Sequence, residues 1–105
     1  SVCSLGDGRL ASGSADKTVR VWAATGECVA TLRGHTGPVY SVCSLGDGRL
    51  ASGSHDRTVR VWETATGECV ATLEGHTNFV LSVCSLGDGR LASGSHDRTV
   101  RVWET

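Results

Sequence analysis

Serine, histidine and aspartate recur together along this chain. They are the residue types that a serine hydrolase uses as nucleophile, general base and base-orienting carboxylate. His35, Ser52 and Asp56 form one set, and His76, Ser93 and Asp97 form a second. Ser12 and Asp16 form a third, with no histidine before them. Two features weigh against acyl transfer. The set returns in each complete unit of the chain, where one active site would suffice. No Gly-x-Ser-x-Gly elbow is present to lift a serine onto an exposed tip. The expectation is therefore a protein without catalytic residues, not an enzyme, with hydrolysis a distant alternative.

The other residues able to do chemistry lead to the same place. His55 and His96 stand beside Asp56 and Asp97, but one histidine and one aspartate per unit are too few ligands for zinc. Asp47 and Asp88 lie in glycine turns, and calcium needs several converging oxygens. Those turns lack a GxxxxGK[ST] pattern and a following helix, so they do not cradle phosphate. The five cysteines fall into two equivalent sets, Cys3, Cys43 and Cys84, and Cys28 and Cys69, with no CxxC pair. Small buried hydrophobes in reduced form are expected, in an intracellular, cytoplasmic protein. Neither a metal nor a cofactor is expected.

The elements that hold these residues come from a repeat. The segment SVCSLGDGRLASGS begins at Ser1, Ser41 and Ser82, and Ser41–Thr64 is identical to Ser82–Thr105. Each unit spells four short strands separated by turn signals, with no amphipathic helix period. In the second unit the strands, designated a to d, are predicted at Val39–Leu45, Arg49–Ser54, Thr58–Glu63 and Glu68–Leu73. Between them lie Gly46-Asp47-Gly48, His55-Asp56-Arg57 and Ala65-Thr66-Gly67, which suit tight antiparallel turns.

Gly34-His35 and Gly75-His76 open units, LASGSHDRTVRVWE follows in each, and Trp22, Trp62 and Trp103 close the third strands. This pattern resembles the WD-repeat family across the whole chain, although Ala23, Glu63 and Glu104 stand where the family's Trp-Asp pair has its Asp. The resemblance implies an all-β propeller of radial, four-stranded antiparallel blades. The units would be 1–33, 34–74 and 75–105, the last without its outer strand, giving a partial ring of about two and a half to three blades. It also implies a hydrogen-bonded tetrad in each blade: His35, Ser52, Asp56 and Trp62, then His76, Ser93, Asp97 and Trp103, with Ser12, Asp16 and Trp22 as the incomplete first set. Indole donates, hydroxyl and neutral imidazole do both, and carboxylate accepts, so such a set satisfies itself in series.

An antiparallel meander gathers its b-to-c turns and d-to-a connections at one end. Comparison of the units puts most of their differences there: Ala15 against His55 and His96, Pro38 against Phe79, and Tyr40 against Leu81. The resemblance nominates Pro38, Tyr40, His55, Phe79, Leu81 and His96 as contacts for a protein or peptide partner. Aromatic rings beside histidine on a rigid rim make good interface anchors. Phe79 is a second candidate, for packing against the next blade.

With 39% hydrophobic and 20% charged residues, composition is that of an ordinary globular protein. The formal charge of -1 offers no footprint for nucleic acid or an anionic membrane, and no long apolar run spans a bilayer. Propellers commonly close with about four to eight blades. The expectation is therefore a protein-interaction scaffold that is part of a longer propeller. The alternative is a unit that completes its ring by homo-oligomerisation.

Overall fold

The computed structural model describes all residues, 1–105, and is built from strands alone. β1 (Val2–Ser4), β2 (Leu10–Gly13), β3 (Thr18–Trp22) and β4 (Cys28–Arg33) form a first antiparallel sheet, paired in chain order. β5 (Val39–Gly46), β6 (Arg49–Ser54), β7 (Val59–Glu63) and β8 (Cys69–Leu73) form a second. β9 (Val80–Gly87), β10 (Arg90–Ser95) and β11 (Val100–Glu104) form a third of three strands, leaving the outer edge of β11 unpaired. The architecture is that of propeller blades in an open arc, not a closed ring.

Strand limits differ from the predicted ones at two starts and one end. Thr58 lies outside β7 because its backbone N–H donates to Asp56 Oδ1 at 2.9 Å instead of to a ladder partner. Glu68 lies outside β8, since its N–H takes the Thr66 hydroxyl at 3.2 Å and its carbonyl closes the turn to Glu63. β5 runs on to Gly46, which pairs with Arg49 across the hairpin. That hairpin needs positive φ at three successive residues, Gly46 (+77°), Asp47 (+52°) and Gly48 (+75°), a conformation that glycine and aspartate tolerate best.

The core lies between the sheets. Ala11, Val19, Val21 and Leu32 of the first blade meet Val39, Val42, Leu50 and Trp62 of the second. Ala51, Val59 and Val61 of the second meet Val80, Val83 and Leu91 of the third. The inner strands of the second blade therefore bury both faces, one toward each neighbour, which is why Val-Arg-Val-Trp carries apolar bulk on alternate sides. Glycine sets the spacing between blades. A Cβ on Gly13 would stand 2.7 Å from Val39 Cγ1, and one on Gly53 would stand 2.6 Å from Val80 Cγ1. Hydroxyls also cross the gap: Val42 N–H donates to Ser1 Oγ at 3.3 Å and Val83 N–H to Ser41 Oγ at 3.1 Å.

Burial of the cysteines departs from expectation. All five are free thiols, none is fully buried, and Cys84 is exposed. Cys3 and Cys43 are half-covered by the following blade, and burial raises both, Cys43 to about 11. Cys84 occupies the same position on a face that no blade covers.

Candidate functional site

The connection from β4 to β5 carries His35 inward over the second blade. Gly34 permits this, because a Cβ there would lie 3.1 Å from the Trp62 ring and 3.0 Å from the Arg60 guanidinium. His35 Nε2 meets Ser52 Oγ of β6 at 2.6 Å, and Nδ1 meets Asp56 Oδ2 at 2.8 Å. Trp62 Nε1–H of β7 donates to the same Ser52 Oγ at 2.8 Å. Since carboxylate only accepts, the Nδ1–H tautomer follows, and Ser52 donates its proton to Nε2. The third blade repeats the set: His76 lies 2.7 Å from Ser93 and 2.9 Å from Asp97, and Trp103 lies 2.8 Å from Ser93. In the first blade Trp22 donates to Ser12 at 2.8 Å, while Asp16 turns to Thr18 and to Arg20 at 3.3 Å.

Electrostatics hold the buried pair as neutral imidazole and ionised carboxylate. Burial pushes His35 below its ordinary value, with Asp56 opposing. Burial alone would raise Asp56, but hydrogen bonds from Thr58, His35 and the Thr36 backbone outweigh it and hold the carboxyl low. Thr99 first, against burial, and then His76 depress Asp97 in the same way. Asp16 is held at about 2 by Thr18 and then Ser14.

The connectivity of Asp56, His35 and Ser52 is that of an acyl-transfer triad, but its surroundings are not. Ser52 has no exposed surface, and its oxygen is already held by indole and imidazole. An attacking serine needs a carbonyl within reach and an oxyanion pocket beside it. What this arrangement does well is tie a connection, two strands and a turn together.

The same end of each blade holds a second set that the sequence argument passed over. Ser54 Oγ donates to the Pro38 carbonyl at 2.8 Å and accepts from Asp56 N–H at 3.1 Å, while Thr58 Oγ1 donates to Asp56 Oδ1 at 2.6 Å. Ser95 and Thr99 repeat these contacts around Asp97 and the Phe79 carbonyl. The available signal was the Ser-x-Asp-x-Thr pattern, present in all three blades, in which short polar side chains bond their own turn.

Across the blades, four of the nominated rim residues form a row of rings. Tyr40 meets His55 edge-on at 6.1 Å, His55 stacks on Phe79 at 3.7 Å and 21°, and Phe79 lies 6.0 Å from His96. Phe79 thus packs against the preceding blade. Leu81 is exposed in the register position of Tyr40 and brings no ring to the row, and half-buried Pro38 contributes its carbonyl to the turn. No group of three or more His, Cys, Asp or Glu converges on a metal-sized site.

The model of the WD domain, G-beta repeat, matches residues 1–23, 26–63 and 67–104. The chain belongs to the WD-repeat family. Among solved structures, U3-55K and the RRP9 WD40 repeats superpose on 99% of the chain, each with a TM-score of 0.93 and 32% identity. The chain spans 33% of each of those structures. Among curated relatives it is 56% identical over 34 residues to F-box/WD repeat-containing protein 7 of Drosophila melanogaster, covering 31% of this chain and 3% of that protein. It is 56% identical over 41 residues to the WD repeat-containing protein pop1 of Schizosaccharomyces pombe, covering 38% and 5%. It is 51% identical over 39 residues to mitogen-activated protein kinase kinase kinase A of Dictyostelium discoideum, covering 34% and 4%. WD-repeat blades serve generally as non-catalytic platforms for protein interaction, and the rigid blade cores described above are suited to that use.

Proposed function

We propose that this WD-repeat array is a non-catalytic protein-interaction scaffold, part of a longer propeller, whose binding face is the end that carries the b-to-c turns and d-to-a connections. The observation that carries the reading is the row Tyr40, His55, Phe79 and His96, which presents ring surface across the junction of the second and third blades. Preorganised rings lose little conformational freedom when a partner covers them. The partner is a protein or peptide, not nucleic acid and not a membrane. We assign the units to 1–33, 34–74 and 75–105. Free cysteines throughout suit a reducing, cytoplasmic setting.

The test is crosslinked pulldown with wild-type chain and with a variant that replaces Tyr40, His55, Phe79 and His96 by alanine. Loss of the captured partners from the variant is expected. Retention of every partner overturns the assignment. A serine-directed fluorophosphonate probe is expected to leave the chain unlabelled, and covalent modification of Ser52 or Ser93 would refute the non-catalytic reading.

A second reading, head-to-tail association of copies of this 105-residue chain, is favoured by the two uncovered blade faces. Val100 and Val102 on the third blade correspond to Val59 and Val61, and Leu10 and Trp22 on the first correspond to Leu50 and Trp62. These are the two halves of a contact that the chain already makes between its own blades. Light scattering across a concentration range distinguishes the outcomes: one sharp multiple of 10.9 kDa supports it, and a concentration-independent monomer removes it.

A further inference from the structure

The three b-to-c turns share a backbone irregularity. Lys17, Arg57 and Arg98 have φ of +76°, +74° and +72°. Each closes its turn by donating its N–H to the carbonyl of Ser14, Ser54 or Ser95, at 3.3, 3.2 and 3.2 Å. Glycine adopts this conformation without steric cost, and a residue with a β-carbon does not. Every blade nevertheless puts a long cation there. All three side chains are exposed, and none forms an ion pair.

The neighbouring carboxylates face the other way. Asp56 and Asp97 are only 6% and 7% exposed and are engaged by histidine and threonine. Asp16 is tied to Thr18 and Arg20. The second and third turns therefore separate their charges, carboxylate inward and cation outward, while in the first turn Asp16 stays half-exposed and pairs with Arg20 rather than with Lys17. Exposed Arg33 and Glu74, where the outer strands end, offset one another. At the opposite end of the blades Asp7 is paired with Arg9 at 2.9 Å, and the exposed carboxylates Glu27, Asp47, Glu68 and Asp88 outnumber the two further arginines there, Arg49 and Arg90. The chain is thus polarised, with cations in solvent on the face that bears the ring row. His55 and His96 are two residues from Arg57 and Arg98, so rings and cations share the same turns.

We propose that this rim binds an acidic peptide segment laid across the three blades, its apolar side chain on the Tyr40–His55–Phe79 rings and its carboxylates toward Lys17, Arg57 and Arg98. The proposal rests on the rim being the binding face and adds the charge of the partner. A peptide fits better than a polynucleotide. Nucleic-acid binding draws its affinity from many phosphate contacts. This rim offers three unpaired turn cations, on a chain of net charge -1 whose other end is acidic.

The turn geometry supplies a discriminating variant. Replacing Lys17, Arg57 and Arg98 together by glycine removes the charges and relieves the positive φ, so the fold is retained or melts at a higher temperature. Loss of binding then comes from charge, not from unfolding. The probes are a short fluorescent peptide alternating Glu with Phe, its Gln-for-Glu counterpart, and a single-stranded oligothymidylate, read by anisotropy on the full chain. The Glu peptide is expected to bind about tenfold more tightly than the Gln peptide at low salt, and added salt should narrow the gap. The glycine variant is expected to bind both peptides alike, with an undiminished melting temperature. Equal binding of Glu and Gln peptides to wild-type chain overturns the proposal, as does unchanged preference in the glycine variant or tighter binding of the oligothymidylate. If both peptides bind equally and alanine at Tyr40 and Phe79 abolishes that binding, the charge inference fails while the rim reading stands. If neither peptide binds, the charge inference fails, and the pulldown decides the rim separately.

Discussion

Replacing Ser52 by alanine tests whether the buried polar chain is a structural tie. The Ser52 oxygen serves two buried groups, Trp62 Nε1 at 2.8 Å and His35 Nε2 at 2.6 Å, inside a blade covered on both faces. Removing it strands one donor and one acceptor away from water. Each costs about 1–3 kcal/mol, so Ser52→Ala should destabilise by about 2–6 kcal/mol. Ser93→Ala leaves His76 in the same position, but Trp103 is half-exposed and water can replace its acceptor, so about 1–3 kcal/mol is expected. Ser12→Ala affects only the half-exposed Trp22, with no histidine on the serine, and should cost less than about 1 kcal/mol. The assay is urea unfolding followed by tryptophan fluorescence, which reports one indole per blade. The reasoning is refuted if Ser12→Ala costs as much as Ser52→Ala, or if Ser52→Ala is tolerated within about 0.5 kcal/mol, the range of ordinary surface substitutions.

Two further outcomes follow from packing and from charge. Gly53→Ala forces a Cβ to within 2.6 Å of Val80 Cγ1 and should destabilise by about 1–3 kcal/mol, whereas Gly94→Ala meets nothing within 4 Å and should be neutral or slightly stabilising; equal melting temperatures for the two variants would contradict the packing account. Stability should also decline on acidification in two stages. Because His35 titrates lower in the folded chain than its ordinary 6.5, the unfolded chain takes up that proton first, and stabilisation present above 6.5 is lost as pH falls toward the folded value. Asp56 is likewise depressed from 3.8, so its contribution is present above that pH and disappears as pH falls through its lower folded value. Calorimetric melting temperatures that stay level from about pH 7 to about pH 3 would be inconsistent with both shifts.

Strand content and hairpin positions were legible because they are local. Alternation in Val-Arg-Val-Trp and the glycine turns set them within the chain, and errors such as Thr58 and Glu68 arose where a side chain competed with the ladder for a backbone group. Contacts between units were harder to read. The His55–Phe79 stack joins the b-to-c turn of one blade to the strand entry of the next, and a repeat period specifies spacing within a blade but not the approach of two blades. The resemblance nominated both residues as partner contacts, yet nothing in their spacing said that they would touch. The cysteines illustrate the same limit: alternation says which face Cys84 occupies, but not that the face is bare.

The duplicated segment separates local from neighbour effects with no change of sequence. Ser41–Thr64 and Ser82–Thr105 are identical, yet Val59 and Val61 are 0% exposed while Val100 and Val102 are 73% and 58% exposed. Burying a valine side chain is worth about 1.5–3 kcal/mol, so two copies of one segment differ by several kcal/mol through their neighbours alone. Strands β6 and β10 make the sharpest comparison, because each is paired on both edges and their residues are the same. Intrinsic amide exchange depends on local sequence, so any difference in hydrogen exchange between them reports their surroundings, namely the cover that the third blade gives the second and the outer strand β8 that supports β7 but has no counterpart beside β11. Slower exchange of Leu50–Ser54 than of Leu91–Ser95 is expected. Equal protection would mean that the pairing of each strand with its two immediate neighbours, neither contact between blades nor the outer strand, sets its stability, and would leave the buried contacts of Val59, Val61, Val80 and Leu91 without energetic consequence.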